Sequence, residues 1–497
     1  MTAHFQDATP AAIAEALQQM QAAAPALAAT TLAQRADMMY SIADLLEQSG
    51  DALLQLTMEE THLPEARLRG ERARTMFQWR NYAEACRRGD WLEVRIDTAD
   101  AGKTPPKPDL RKMNVPLGPV LVFGASNFPY AYSTAGGDTA SAFAAGCPVV
   151  LKAHPAHART SEAVAALVQQ GLQKHGLPTA LFVHLHGSST EVGQALVKHP
   201  AIKAVGFTGS FAGGKALFDA ANQRPEPIPV FAEMGSVNPV FLLPDKLATD
   251  AAAVAQQYAA SITLGVGQFC TNPGLLIGMA GEAFDAFAAS LSEAIGQVPA
   301  GTMLHQGIAD AFEMNKAKAL AQRGVQPWAK GQAGHNSLQA SAAIGIVNAA
   351  NFLQQPALRH EVFGPFSLLV KCENAAEIQA VAQALEGQLT CSLMATASDL
   401  EAFADLLPIV SSKCGRLVLN GVPTGVEVCQ AMQHGGPFPA STDSRFGSVG
   451  ADAIRRFCRP LAYQSWPNEY LPAALQNDNP WQLWRSVNGS WSNEPLV

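Results

Sequence analysis

From Gly118 onward the chain alternates short apolar runs with alanine-rich or amphipathic stretches of helical length, and this rhythm most narrows the folds open to it. PVLVFG, PVVLKA (148–153), ALFVHLHG, IKAVGFTGS and IPVFAEMG read as strands bounded by turn residues. Between them lie an alanine-rich helix near 133–145, the amphipathic TSEAVAALVQQGLQKHG closing at a glycine, and a helix near 213–221. The rhythm resumes after 235 with VNPVFLL, a helix over 248–264, LLIGMA and a helix over 282–297. FSLLVK, a helix after Cys372, TCSLMAT, a helix near 398–409 and GRLVLN complete it. Parallel strands need crossover connections, and helices supply them on both faces of a sheet. The fold class predicted is therefore α/β, with two doubly wound units. Residues 11–90 read as mostly helical, while Pro105, Pro106, Pro108, Pro116 and Pro119 make 101–119 an extended arm or hairpin.

Size agrees with more than one folded unit, since 497 residues exceed a single ordinary core. With 48% hydrophobic and 15% charged residues the chain is not disordered. A net charge of -8 and the lack of a long Lys/Arg run argue against a nucleic-acid partner. The N-terminal segment has no basic start followed by an apolar stretch, and no apolar run approaches a membrane span, so a cytoplasmic chain without membrane association is expected. Eight scattered cysteines without a CxxC pair read as free thiols, and no Cys/His cluster has zinc spacing, so the reaction is expected to need no metal.

Several polar residues fall at strand ends, where open α/β sheets bind ligands. Asn127, in Ser126-Asn127-Phe128-Pro129, follows an apolar strand; it is either a turn residue or an N–H donor into a crevice. Lys152 ends the next strand, either solvated or reaching cofactor oxygens. Gly209 and Ser210 lead through Gly213-Gly214 into a helix, a turn suited to a pyrophosphate but not a GxGxxG signature. Glu233 follows an apolar run and is either a surface acid or a base. Cys147, Cys391 and Cys414 lie in or beside apolar strands and read as inert. Cys270 sits in a loop with Gly267, Gln268, Asn272 and Pro273, the setting of a nucleophile.

Together, SNFP at 126–129, LK at 151–152, FTGS followed by Gly214, EMG at 233–235, GQFC at 267–270 and EVFGPF at 361–366 resemble the aldehyde dehydrogenase superfamily from about residue 10 to 460. The resemblance implies an aldehyde dehydrogenase-like fold of two doubly wound domains plus a small oligomerisation arm. The cofactor-binding domain would span 1–100 and 117–233, the catalytic domain 234–450, and the arm 101–116 and 451–497. Cys270 would attack the aldehyde, Asn127 and the Cys270 N–H would hold the oxyanion, and Glu233 would activate the water that hydrolyses the thioester. Lys152, His154, Pro155, Gly209, Ser210, Gly214, Glu361 and Phe363 would meet the cofactor, with Glu361 on the nicotinamide ribose.

Many NAD-preferring members carry an acid three residues beyond the strand-end lysine; here that residue is Pro155, with His154, His157 and Arg159 nearby. The missing repulsion against a 2′-phosphate points to NADP, with NAD possible. The segments SNFPYAYSTAGG, GRLVLNGVPTGVEV and HGGPFPAST (434–442) resemble the branch containing α-ketoglutaric semialdehyde dehydrogenases, and an NADP-dependent fatty aldehyde dehydrogenase looks similar. A carboxylate-bearing substrate wants an Arg, and one of Arg67, Arg69, Arg72 and Arg74 is expected to face the site; Phe128, Phe269 and Phe438 are expected along an apolar wall. A non-catalytic binding or structural member is the remote alternative, opposed by the presence of Cys270, Glu233 and Asn127. The arm and the tryptophans at 466, 481, 484 and 491 predict a homodimer or homotetramer.

Overall fold

A computed structural model describes residues 5–496; residues 1–4 and 497 of the expected terminal spans lie outside the described residues. Two sheets carry the α/β rhythm. The first has five parallel strands, in the spatial order Phe182–Leu185, Val149–Lys152, Val120–Phe123, Ala204–Thr208 and Val230–Glu233. The second has seven, Gln326–Lys330, Ala343–Asn348, Phe366–Cys372, Leu275–Met279, Val240–Leu242, Gln388–Met394 and Cys414–Leu419. All of these run parallel except the edge strand Gln326–Lys330.

Side-chain alternation explains why both sheets are covered on both faces. Val120, Val122, Val149 and Leu151 enter one core with the helices of residues 10–90, while Leu121 and Val150 enter another. In the second sheet Leu275, Ile277 and Phe241 point one way and Leu276, Val240 and Leu242 the other. Full burial of each such Val or Leu stabilises the fold by about 1.5–3 kcal/mol. In the first sheet the chain winds outward from Val120–Phe123 to one edge, then restarts on its other side with Ala204–Thr208. Open α/β sheets bind ligands at the carboxyl ends where the winding reverses, which in this sheet is between the turns that follow Phe123 and Thr208.

The helix expected near 398–409 is two short helices, Ala397–Ala402 and Leu406–Ser411. Pro408 lacks an N–H, and its ring would clash with the carbonyl four residues earlier in a continuous helix. The proline-rich arm continues into the strand Leu110–Pro116, which pairs with Arg95–Asp97 and with Cys458–Gln464. Arg485–Val487 and Ser490–Ser492 complete a five-stranded sheet joining arm and tail. Trp466, Trp484 and Trp491 are exposed beside it, whereas Trp481 packs against the core.

Candidate active site

Cys270 lies on a loop between the turn Leu264–Gly267 and the strand Leu275–Met279 of the second sheet. The loop is fixed by contacts from distant parts of the chain. Gly267 has φ 65°, and a Cβ there would run into the carbonyl of Gly364, so only glycine fits. Asn238, itself at φ 45°, donates through Nδ2 to the carbonyls of Cys270 and Asn272, both at 2.9 Å. The side-chain oxygen of Gln388 accepts from the Val237 N–H at 2.9 Å and the Asn238 N–H at 3.2 Å. Asn127, past the end of Val120–Phe123, donates through Nδ2 to the Gln268 carbonyl at 3.2 Å. Its carboxamide therefore reaches the loop two residues before the thiol.

Glu233, at the end of Val230–Glu233, approaches the thiol from the first sheet. The segment 440–442 continues that sheet edge: the Met234 N–H donates to the Ala440 carbonyl, and Glu233 forms a bridge with Ser441. This segment brings in two residues that sequence reasoning missed. His434 Nε2 lies 3.6 Å from Cys270 Sγ and 3.0 Å from Glu233 Oε1. Ser448 Oγ donates to Glu233 Oε2 at 2.6 Å. Only the glycine-rich HGG turn after His434 hinted at this placement. Burial pushes the Cys270 thiol well up, and the Glu233 charge adds to the rise, with Arg74 opposing it. Burial also raises the Glu233 carboxyl, but His434 and the hydrogen bonds from His434, Ser448 and Cys270 outweigh it and hold Glu233 below its ordinary value. A carboxylate is thus maintained beside a protonated thiol, so the nucleophile needs a proton acceptor, and His434 and Glu233 stand at its side.

The helix Glu65–Arg88 carries the four arginines, and two rather than one face the site. Arg69 pairs with Asp51 and Glu65, and Arg72 donates to Ser49 Oγ and the Gly50 carbonyl. Arg67 donates to the Asn127 carbonyl at 2.6 Å and lies 4.8 Å from the ring centroids of both Phe128 and Phe269. Arg74 lies over Tyr132 at 5.3 Å and donates to its hydroxyl at 3.3 Å. One terminal nitrogen of each, Nη1, is buried without a hydrogen-bond partner. Glu71, between them on the helix, spends one oxygen on the N–H groups of Tyr130 and Ala131, and burial pushes its carboxyl up. Phe128 and Phe269 meet edge to face at 5.5 Å, as an apolar wall requires, but Phe438 does not join them. It packs on Phe211 at 6.0 Å and is exposed, because the 434–442 segment carries it to the helix Phe211–Asn222.

On the crevice side, Lys152 is half-buried at the end of Val149–Lys152, has no ion-pair partner among the described residues, and is lowered by burial. Ser210 caps the helix Phe211–Asn222, accepting from the Gly213 N–H at 3.2 Å. Gly209 precedes it, and a Cβ at Gly214 would strike Met234, so the helix seats closely on the neighbouring strand. His154 points inward: Nδ1 accepts from the Ala156 N–H, the ring stacks on His157, and burial holds it well below the ordinary imidazole value. His157 is fully buried with Nε2 at the Ala125 carbonyl, and Arg159 pairs with Glu59. These groups therefore supply no free cation near Lys152; the feature left in favour of a 2′-phosphate is Pro155 where an acid would stand. Glu361 and Phe363 line a cleft with Ser236 and Phe269. Burial pushes Glu361 up to about 8. An uncompensated lysine, an open helix N-terminus and a carboxyl facing a cleft fit a dinucleotide.

The model of the "Aldehyde dehydrogenase family" matches residues 1–459. The chain belongs to the aldehyde dehydrogenase family. It is 50% identical over 462 residues to "Alpha-ketoglutaric semialdehyde dehydrogenase 2" of Azospirillum brasilense, covering 93% of this chain and 88% of that one. It is 46% identical, with the same coverage, to "Alpha-ketoglutaric semialdehyde dehydrogenase" of Acinetobacter baylyi. Among solved structures, PnpE from Pseudomonas sp. WBC-3 superposes with a TM-score of 0.77 at 21% identity, covering 93% of this chain and 91% of PnpE. Proline utilization A from Bdellovibrio bacteriovorus gives 0.78 at 21% identity, covering 92% of this chain and 46% of that one. The aldehyde dehydrogenase fold and enzyme class expected from the motifs are thus established, and the family's reaction is NAD(P)-dependent oxidation of an aldehyde to a carboxylate. No helix among the described residues is long and apolar enough to cross a membrane.

Proposed function

We propose that this enzyme oxidises α-ketoglutaric semialdehyde to 2-oxoglutarate, with Cys270 as nucleophile and NADP as the preferred hydride acceptor. The observation that carries the substrate reading is the pair of half-buried arginines beside the thiol loop, Arg67 and Arg74, each with a buried Nη1 that lacks a hydrogen-bond partner. A buried N–H without an acceptor is costly, and a substrate carboxylate would supply one to each arginine. The names of the two relatives near half identity point the same way. A fatty aldehyde offers such cations nothing.

In this reading the Cys270 proton passes to the His434–Glu233 pair, and the thiolate adds to the aldehyde carbon. The Asn127 amide turns from the Gln268 carbonyl to the new oxyanion and shares it with the Cys270 N–H. NADP, when bound, would supply the acceptor for the hydride that leaves the thiohemiacetal carbon of the Cys270 adduct, which becomes a thioester. Glu233, ionised and held by Ser448, takes a proton from the water that attacks the thioester carbon, and Cys270 leaves as thiolate. Lys152, Gly209 and Ser210 would hold the adenosine and pyrophosphate, Gly214 seats their helix, and Glu361 with Phe363 would hold the nicotinamide ribose. His154 acts only by shaping the turn that carries Pro155.

The first sheet with the helices of residues 1–100 is assigned to the cofactor, the span 234–450 to catalysis, and the arm sheet with its exposed tryptophans to a homodimer or homotetramer of a cytoplasmic enzyme. Sedimentation should find no monomer at micromolar concentration. The function is tested by comparing kcat/KM for α-ketoglutaric semialdehyde, succinic semialdehyde, glutaraldehyde and medium- and long-chain aldehydes, each with NADP and NAD. The oxo-acid semialdehyde with NADP should rank first; a long-chain aldehyde ranking above it, or a preference for NAD, would overturn the corresponding part.

A further inference from the structure

The group Cys270, His434 and Glu233 offers a sulfur, an imidazole nitrogen and a carboxylate oxygen whose ligating atoms all lie within 4.8 Å of one another. Tetrahedral zinc, with Zn–S of about 2.3 Å and Zn–N of about 2.0–2.1 Å, places sulfur and nitrogen about 3.6 Å apart. Cys270 Sγ and His434 Nε2 are 3.6 Å apart without any adjustment. Glu233 Oε1, at 3.0 Å from His434 Nε2, would retreat by a few tenths of an ångström. A second observation marks the same place. Glu233 is 4% exposed, its Oε2 is bound by Ser448, and its Oε1 faces the His434 imidazole at 3.0 Å, an ion-pair contact without good hydrogen-bond geometry. A buried carboxylate oxygen held only by such a contact, and aimed at an imidazole and a thiol, completes a ligand set open to a cation.

We propose that these three side chains form a high-affinity site for a thiophilic divalent cation, zinc above all, and that its occupation reversibly shuts the enzyme off. The ion displaces the Cys270 proton to solvent as the metal–sulfur bond forms. The Nε2 proton that His434 turns toward Glu233 moves to Nδ1 or to solvent, freeing the Nε2 lone pair for the ion, and Glu233 binds through Oε1. A thiolate and a carboxylate balance the charge of the ion, so the buried cluster is net neutral. The fourth position is left to water. Hard cations such as magnesium prefer all-oxygen shells and should not compete. Cys270 and Glu233 are also the proposed nucleophile and base, so the inhibitory effect rests on that reading; binding itself does not.

Among the described residues, one further constellation of metal-ligand type is Glu162, His184 and His186, on the helix Ala158–Lys174 and at the end of Phe182–Leu185. It contains no sulfur, and this separates the two sites experimentally. Chelator-treated full-length enzyme is titrated with Co2+ and the near-ultraviolet thiolate-to-cobalt charge-transfer band is followed, with zinc added as competitor. One equivalent of band-forming site per chain is expected, bleached by stoichiometric zinc. It should be lost in Cys270→Ser, weakened at least ~10-fold in His434→Gln, and unchanged in Glu162→Gln. Zinc should inhibit turnover over the concentration range in which it bleaches the band, and chelator should restore activity. Absence of the band in the wild-type enzyme, or an unaltered band in His434→Gln, would overturn the site. A band with all these dependences in a chain that turns over no aldehyde would leave the site standing and overturn the proposed function instead.

Discussion

The two functional loops stand at the carboxyl ends of two similar sheets, yet they are built differently. The turn through Gly209, Ser210 and Gly214 is local: the Ser210 hydroxyl caps its own helix, and the first helical N–H groups are left for a ligand. The Cys270 loop is non-local. Its carbonyls are claimed by Asn238, its approach is fixed by the contact of Gly267 with Gly364, and Asn127 reaches it from the other sheet. The contrast follows from what each must do. In the proposed roles, a cradle for phosphates can be open because the ligand completes it, whereas a nucleophile must be held in its geometry before the substrate arrives.

Substitutions at the two loops should therefore differ in kind and size. Cys270→Ser should lower kcat by at least ~10⁴-fold with nucleotide binding retained, measured by steady-state assay and by quenching of protein fluorescence; loss of nucleotide binding would mean the two loops are not separable. Arg74→Met should lower kcat/KM for the oxo-acid semialdehyde by ~10–100-fold, as removal of a charge-assisted contact does, but change a neutral aldehyde of similar length little. An equal loss on both would make Arg74 a support for Tyr132 alone. In stability, Asn238→Ala leaves two buried carbonyls unpaired and should cost about 2–3 kcal/mol, against about 1 kcal/mol for the helix cap lost in Ser210→Ala. Denaturant titration checks both, and a reversed order would break the comparison.

A pH-dependent effect concerns Glu361. Its carboxyl is raised from 4.5 to about 8 in the fold, so the folded state holds that proton more tightly than the unfolded chain. Its contribution to stability is fully present below pH 4.5 and is lost as pH rises through about 8. Without nucleotide, Glu361→Gln should flatten that decline, read from denaturation midpoints across the range; an unchanged slope would refute the shift.

What could be read in advance follows the same divide. Strand and helix alternation showed both sheets, because buried parallel strands are written as short apolar runs. The helix break before Pro408 was missed because its surroundings have helical composition. At the site, Cys270, Glu233 and Asn127 were legible through their motifs and the turns around them. His434 and Ser448 were not, since they lie over 160 residues from Cys270 in the chain and in a segment whose signal is glycine and proline. Arg67 and Arg74 could be bracketed by helical spacing but not chosen, because both faces of Glu65–Arg88 carry arginine and only packing decides which are buried. Phe438 was misplaced for a related reason: its segment crosses to the nucleotide side after leaving Glu233.

The central claim is that Cys270 carries the acyl group and Glu233 releases it. It is tested most directly by mixing Glu233→Gln with NADP and α-ketoglutaric semialdehyde, then following reduced nucleotide and intact protein mass together. The account predicts a burst of reduced nucleotide stoichiometric with chains, slow turnover afterwards, and an added acyl mass located at Cys270. Full turnover without an acyl adduct, or an adduct on another residue, would contradict it.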